Sequence, residues 1–457
     1  GAHARLVQTG DTVAGEVLLV GSRIEGKVDG DRFTGTRNEE GRAHALVLVL
    51  DRSGNAFVGH DDSSVWCTAV RIVADSIPPA PALDSPRAAF AEFTFVANQL
   101  RLGLDGYWNR VIGSVEFAPE AIALERPLIY PGDDEVTFTP AAIRSRAVAR
   151  AASLLAISAT RRPGTTLVLA ELATGNLIRE IRAPADRHFY GHGVFSADGE
   201  WFYTTENAFE DSSDASGRLV AWRVIGAGSD ATLERVYDWP SYGVGPHELL
   251  LMPDGNTLAI ANGGIRTHPS HDRDILNLDT MQPSLTYIDR RDGKLLEQQG
   301  LPAEFHQCSI RHLDVSANGT VVLGMQFEGE AFMTVPLVAT HKRGENLQLL
   351  LAPPELQPQL NQYVGAIRFA ADGRHFAATC PRGNQFTVWD SETGTLVHAL
   401  RARDNCGVIA SDKGFVYSTG MGKVAELDLQ SGSISEFDGA EQLALLWDNH
   451  LCSGVAA

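Results

Sequence analysis

Five segments of the chain repeat one pattern, a polar or metal-capable side chain followed by a short apolar run and a glycine turn. They read HGVFSADG at 192–199, HELLLMPDG at 247–255, RHLDVSANG at 311–319, GAIRFAADG at 365–373 and CGVIASDKG at 406–414. An apolar run that ends in Asp-Gly or Asn-Gly marks a hairpin, because its turn needs residues that accept a positive φ. The pattern returns at intervals of 41 to 64 residues. That is the spacing of β-propeller blades whose loops differ in length. A closed ring of such units would gather the leading polar residues around one axis.

A second signature alternates with the first: ELATG at 171–175, DRRDG at 289–293, DSETG at 390–394 and DLQSG at 428–432. Each lies between two apolar strands and reads as the turn joining the outer strands of a blade. The strands then group as 153–182, 192–237, 247–301, 310–351, 364–401 and 406–437, and the tail LALLWDNHL at 443–451 supplies strand material to close the ring. The expected fold is all-β, a seven-bladed β-propeller over 141–457, with six or eight blades also compatible with the spacing. Residues 1–140 form an extra β-rich region, either a separate small domain or strands donated to the first blade. A proline-rich break at 77–86 reads as a linker. Helical periodicity is weak and confined to 139–152 and 353–362.

The formal net charge of −19 repels phosphate backbones, so nucleic acid is excluded as a partner. No apolar run approaches the roughly 20 residues of a membrane-spanning helix. Five scattered cysteines without a Cys-x-x-Cys pair exclude a zinc knuckle and read as buried thiols. The chain starts Gly-Ala-His, so an export signal preceding it stays open.

In a propeller, the loops entering each inner strand and the loops between second and third strands share one face. Here almost every unusual residue falls in those loops. His192, His247 and His312 occupy similar places in separate blades and are the candidate ligands for a transition metal, iron, copper or zinc. Around them, His188, Tyr190, Glu206, Asn207, Glu248, Asn262, Arg266, His268, His306, Arg311 and Arg382 are the candidate ligand-binding residues. Glu206 and Glu248 suit the role of carboxylates that orient imidazoles, and Arg266 and Arg311 that of anion clamps or of salt-bridge partners. There is no Gly-x-Ser-x-Gly elbow, His-Glu-x-x-His or Walker loop, so no catalytic residue is assigned.

Seven separated motifs, HFYGHGVFS at 188–196, YTTEN at 203–207, GPHEL at 245–249, ANGGIRTHP at 261–269, LNLDTM at 276–281, SIRHL at 309–313 and WDNHL at 447–451, occur in order. By these the chain resembles a bacterial family of uncharacterised, exported propeller proteins similar to WD-repeat and lactonase-type propellers, encoded near imelysin-type iron-uptake proteins and di-haem oxidoreductases. The resemblance spans residue 153 to the C-terminus. It implies a periplasmic accessory role in iron or haem-linked metabolism, with an imelysin-like or cytochrome-type partner, and carries over no catalytic residue. Three functions follow as expectations: a metal- or ligand-binding propeller; a lactonase-like hydrolase whose cation is held by Glu206, Asn207, Asn262 and Asp404; and an interaction scaffold.

Overall fold

A computed structural model describes strands between Ala4 and Gly454, and side chains chiefly over residues 155–437 and 450–451, with short gaps and a few positions between 25 and 45. The proline-rich break at 77–86, the ELATG turn and the side chains of Cys67 and Cys452 lie outside the described residues. The chain divides into two compact units, one built mainly from residues 1–89 and the other mainly from 136–457 with 90–98 and 111–128. The first holds a seven-stranded antiparallel meander in sequence order, from Ala4–Thr9 to Trp66–Val70.

The second unit is a β-propeller of four-stranded antiparallel sheets, seven of them among the described strands. Their innermost strands are Phe138–Ser145, Arg187–Phe195, Pro246–Leu251, Cys308–Val315, Ala366–Phe369, Asn405–Ala410 and Trp447–Gly454. Each packs against the next, and Trp447–Gly454 packs back against Phe138–Ser145, so the inner strands form a closed ring. The last sheet is composite. Trp447–Gly454 pairs beside Thr94–Gln99, followed by Arg110–Phe117 and Ile122–Tyr130, which ties the C-terminal strand to an early part of the chain. Hydrophobic clusters bridge neighbouring sheets, as where Leu285 and Tyr287 of one sheet meet Ile310 and Leu313 of the next and Ile367 and Trp389 of a third.

The hairpin turns fall where the sequence places them. Gly199, Gly255, Gly319 and Gly373 have φ between 67° and 86° and close the inner hairpins, and Gly293, Gly394 and Gly432, at φ 69° to 74°, close the outer ones. Both sets lie at one end of the sheets, and the loops rich in histidine and arginine lie at the other. The weak helical pattern at 139–152 is overturned: Phe138–Ser145 is an inner strand, paired with Leu154–Thr160 and missing from the first strand group drawn from sequence. Pro140 is tolerated because an inner strand is an edge strand and the register shifts beside it. Of the pattern at 353–362 only a 3-10 turn, Gln357–Leu360, forms.

Five inner strands share a further irregularity, a β-bulge. Registers slip between Pro140 and Ala142, Phe189 and Gly193, Pro246 and Leu249, Ile310 and His312, and Asn405 and Val408. The residues caught in three of these slips are Tyr190 to His192, His247 with Glu248, and Arg311. A bulge turns side chains out of strict alternation, and here it does so at the candidate site.

Candidate metal centre

Four inner strands contribute four histidines to one cluster. Ring centroids are 4.8 Å apart for His192 and His247, 4.9 Å for His247 and His312, 4.8 Å for His312 and His450, and 5.0 Å for His192 and His450. Ligand nitrogens of His192, His312 and His450 all lie within 4.8 Å of one another. Around a tetrahedral ion with bonds of about 2.0–2.1 Å, nitrogens stand about 3.3 Å apart. Small imidazole rotations would therefore close the triad on a metal. His247, expected as a ligand, stands beside the triad with a buried Nδ1 that has no hydrogen-bond partner among the described residues. His450 is a further member, and the sequence signals it only through the WDNHL motif at the far end of the chain.

Glu248 holds the cluster in place. Its Oε2 lies 3.0 Å from His312 Nδ1 and accepts from the Leu313 amide at 3.3 Å, while Oε1 lies 3.9 Å from His192 Nδ1 and 3.4 Å from an Arg368 guanidinium nitrogen. A proton on His312 Nδ1 donated to Glu248 leaves Nε2 with a free lone pair, the tautomer a metal requires. Burial alone would push the Glu248 carboxyl up, but Arg368, His192 and His312 outweigh it and hold the carboxyl well below the usual range. Burial pushes the His192 imidazole down to about 3 and lowers His247, His312 and His450 as well. At neutral pH the cluster is a set of uncharged nitrogen donors.

The other candidate residues divide between this axis and a flanking cluster around His188. Tyr190 and Arg311 precede His192 and His312 on their strands and so lie towards the loop-rich face. Arg311 donates from Nη2 to Glu328 at 2.6 Å and from Nε to Ser309 at 3.4 Å. The Tyr190 hydroxyl is buried near Thr267, without a partner in strict hydrogen-bond geometry among the described residues. His188, fully buried, faces its Nδ1 to the Phe189 carbonyl at 3.1 Å and its Nε2 to the Asn207 amide at 3.1 Å. His268 lies against Phe209 and Glu210.

Glu206 does not orient an imidazole: both carboxylate oxygens accept from Arg235, at 2.7 and 3.0 Å. Asn262 donates to Thr286 at 3.1 Å, Arg266 donates to the Asp211 carbonyl at 3.2 Å, His306 turns to the Ala303 carbonyl at 2.9 Å, and Arg382 lies 4.8 Å over the Tyr363 ring. Glu206, Asn207 and Asn262, three of the four residues expected for a hydrolytic cation, thus point to different partners. Cys308, Cys380 and Cys406 are buried, and burial pushes the thiols of Cys308 and Cys380 up to about 12.

A family profile described as "Protein of unknown function (DUF1513)" matches residues 139–454. No curated protein matches the sequence. Among solved structures, the periplasmic gluconolactonase PpgL of Pseudomonas aeruginosa is similar at 16% identity, over 80% of this chain and 99% of that one, with a TM-score of 0.47. The Cps50 (Swd1) β-propeller domain of Myceliophteria thermophila is similar at 14% identity over 75% and 98%, with a TM-score of 0.45. Hydrazine synthase of Kuenenia stuttgartiensis is similar at 12% identity over 86% and 92%, with a TM-score of 0.43.

Proposed function

The chain belongs to the DUF1513 family, and we propose that it is a binding propeller that holds a transition metal on its axis through His192, His312 and His450, with His247 alongside. The observation that carries this reading is the convergence of three neutral, buried imidazole nitrogens within 4.8 Å, backed by a carboxylate that orients one of them. Imidazole donors suit copper, zinc or iron. Three protein ligands leave a coordination position for an external molecule. A binding role is favoured over hydrolysis because Glu206, a carboxylate of the alternative cation set, is neutralised by Arg235.

Metal analysis of freshly purified protein, followed by titration of chelator-treated protein with Cu(II), Zn(II) and Fe(II), tests the reading. About one equivalent of one metal is expected, with loss of high-affinity uptake in His312→Ala and His450→Ala. Absence of uptake for all three metals would remove it. A periplasmic role beside iron or haem-linked uptake, with an imelysin-like or cytochrome-type partner, is supported by the motif resemblance alone. Cell fractionation and co-purification under iron limitation test it.

A further inference from the structure

We propose that His247 is the fourth ligand of the axial centre, and that the four imidazoles form a closed, flattened site that selects divalent copper. The inference rests on the metal reading of His192, His312 and His450, and adds to it the ligand that fills the open position and the ion that the arrangement suits.

The shape of the cluster carries the argument. In circuit order the rings of His192, His247, His312 and His450 stand 4.8, 4.9, 4.8 and 5.0 Å apart, and 5.7 Å separates His192 from His312 across the circuit. With metal–nitrogen bonds of about 2.0–2.1 Å and a ring centre about 1.2 Å beyond the nitrogen, four imidazoles on one ion keep their centres about 3.2 Å from it. A regular tetrahedron then spaces every pair about 5.2 Å apart, whereas a square gives about 4.5 Å along its sides and about 6.4 Å across. The observed sides and diagonal fall between the two, as in a flattened tetrahedron. A bystander ring has no reason to repeat the spacing of the ligands. His247 stands as far from His192 and His312 as His450 does, and His450 belongs to the triad.

The donor atoms agree with the spacing. His247 Nδ1 is buried with no hydrogen-bond partner among the described residues, a state that costs stability unless something binds the nitrogen. Glu248 lies 3.0 Å from His312 Nδ1 and 3.9 Å from His192 Nδ1, which leaves Nε2 of both rings for an ion. One carboxylate thus serves the two imidazoles that face each other across the long diagonal. The geometry and the donor set then choose the ion. Zinc has no geometric preference of its own and sits in tetrahedral sites. Nitrogen donors flattened towards a square suit Cu(II) or Ni(II), and copper stands above nickel in affinity. Four imidazoles offer no thiolate of the kind that favours Cu(I). With the fourth position filled from within the chain, the ion is held and not presented to a substrate.

Titration of chelator-treated protein with Cu(II), Zn(II) and Fe(II), with pulsed electron paramagnetic resonance of the copper-loaded form and azide as an external ligand, tests the proposal. Copper exceeds zinc at almost any nitrogen site, so preference alone decides nothing and the effect of removing His247 is read instead. The wild-type protein is expected to take up one Cu(II), to show four imidazoles bound to it and to give a spectrum that azide leaves unchanged. In His247→Ala the imidazole count should fall to three and Cu(II) affinity at least tenfold. Azide should then shift the spectrum, because His247 is the least buried of the four and its ring leaves a vacancy that solvent reaches. His247→Gln, which keeps the size, is the second variant should His247→Ala fail to fold, and it should show the same fall in count and affinity. Three imidazoles or an azide-sensitive spectrum in the wild type, or a count unchanged in the variants, would overturn the fourth ligand and leave the metal reading standing. Uptake of Zn(II) or Fe(II) without Cu(II) would do the same to the choice of ion, whereas uptake of none of the three sinks both readings.

Discussion

Glu248 follows His247 within one bulge and reaches His312 on the next inner strand, so its carboxylate fixes an imidazole that the neighbouring sheet supplies. Glu248→Gln keeps the size and removes the charge that holds the His312 Nδ1 proton, and metal affinity is expected to fall about 10–100-fold by titration. His188 gives a second test at this scale. Its Nδ1–H donates to Phe189 and its Nε2 accepts from Asn207, so a second proton would set two donors face to face. Burial pushes its pKa down to about 4 from the ordinary 6.5. Between those values the unfolded chain takes up a proton that the native chain refuses, so stability is present above about pH 6.5 and is lost as pH falls towards 4. The loss amounts to a few kcal/mol, and the buried cluster histidines act in the same direction. Denaturant midpoints of metal-free protein at pH 7 and pH 4.5 should differ less in His188→Gln, whose side-chain oxygen still accepts from Asn207; an unchanged difference would refute the assignment.

Inner strands were legible where local chemistry spells out the backbone. Asp-Gly and Asn-Gly announce positive φ within two residues, so the hairpins at Gly199, Gly255, Gly319 and Gly373 can be read directly. Phe138–Ser145 lacks such a turn, and its strand state comes from pairing with Leu154–Thr160, which no local pattern encodes. The clustering of His192, His247 and His312 was readable because they recur at one place in the repeat. The partners of Glu206 and Glu248 were not, since Arg235 reaches Glu206 from an outer strand of its own sheet and Arg368 reaches Glu248 from another sheet. Contacts between inner strands also constrain small residues. A Cβ on Gly407 would lie 2.6 Å from Leu451 Cγ, 2.7 Å from Leu451 N and 2.9 Å from the His450 carbonyl carbon. Gly407→Ala is therefore expected to cost about 1–3 kcal/mol and to weaken metal uptake by displacing His450. Gly300→Ala, where nothing lies within 4 Å, is the control and should do neither in thermal melts and titrations.

At the scale of the propeller, ring closure and the metal site share a strand. His192 and His312 come from sheets formed by consecutive segments, whereas His450 comes from Trp447–Gly454, which completes a sheet begun by Thr94–Gln99. Sequence pattern suggested that the tail closes the ring, but the function of His450 emerges only once the two distant parts of the chain are paired. A metal held by all three histidines binds the closed ring and not one in which the last strand has detached. Its binding free energy therefore opposes opening, by about 4 kcal/mol at a thousandfold excess over Kd. Two measurements follow from this linkage. Adding the preferred metal should raise the thermal midpoint of the wild-type protein and slow amide exchange over 447–454 more than over the outer strand Thr395–Arg401. In His450→Ala the remaining histidines still lie close together, so residual weak binding is allowed, but the selective protection of the last strand should vanish. Equal protection of that strand in the variant would show that the metal is held without His450 and that closure and binding are independent.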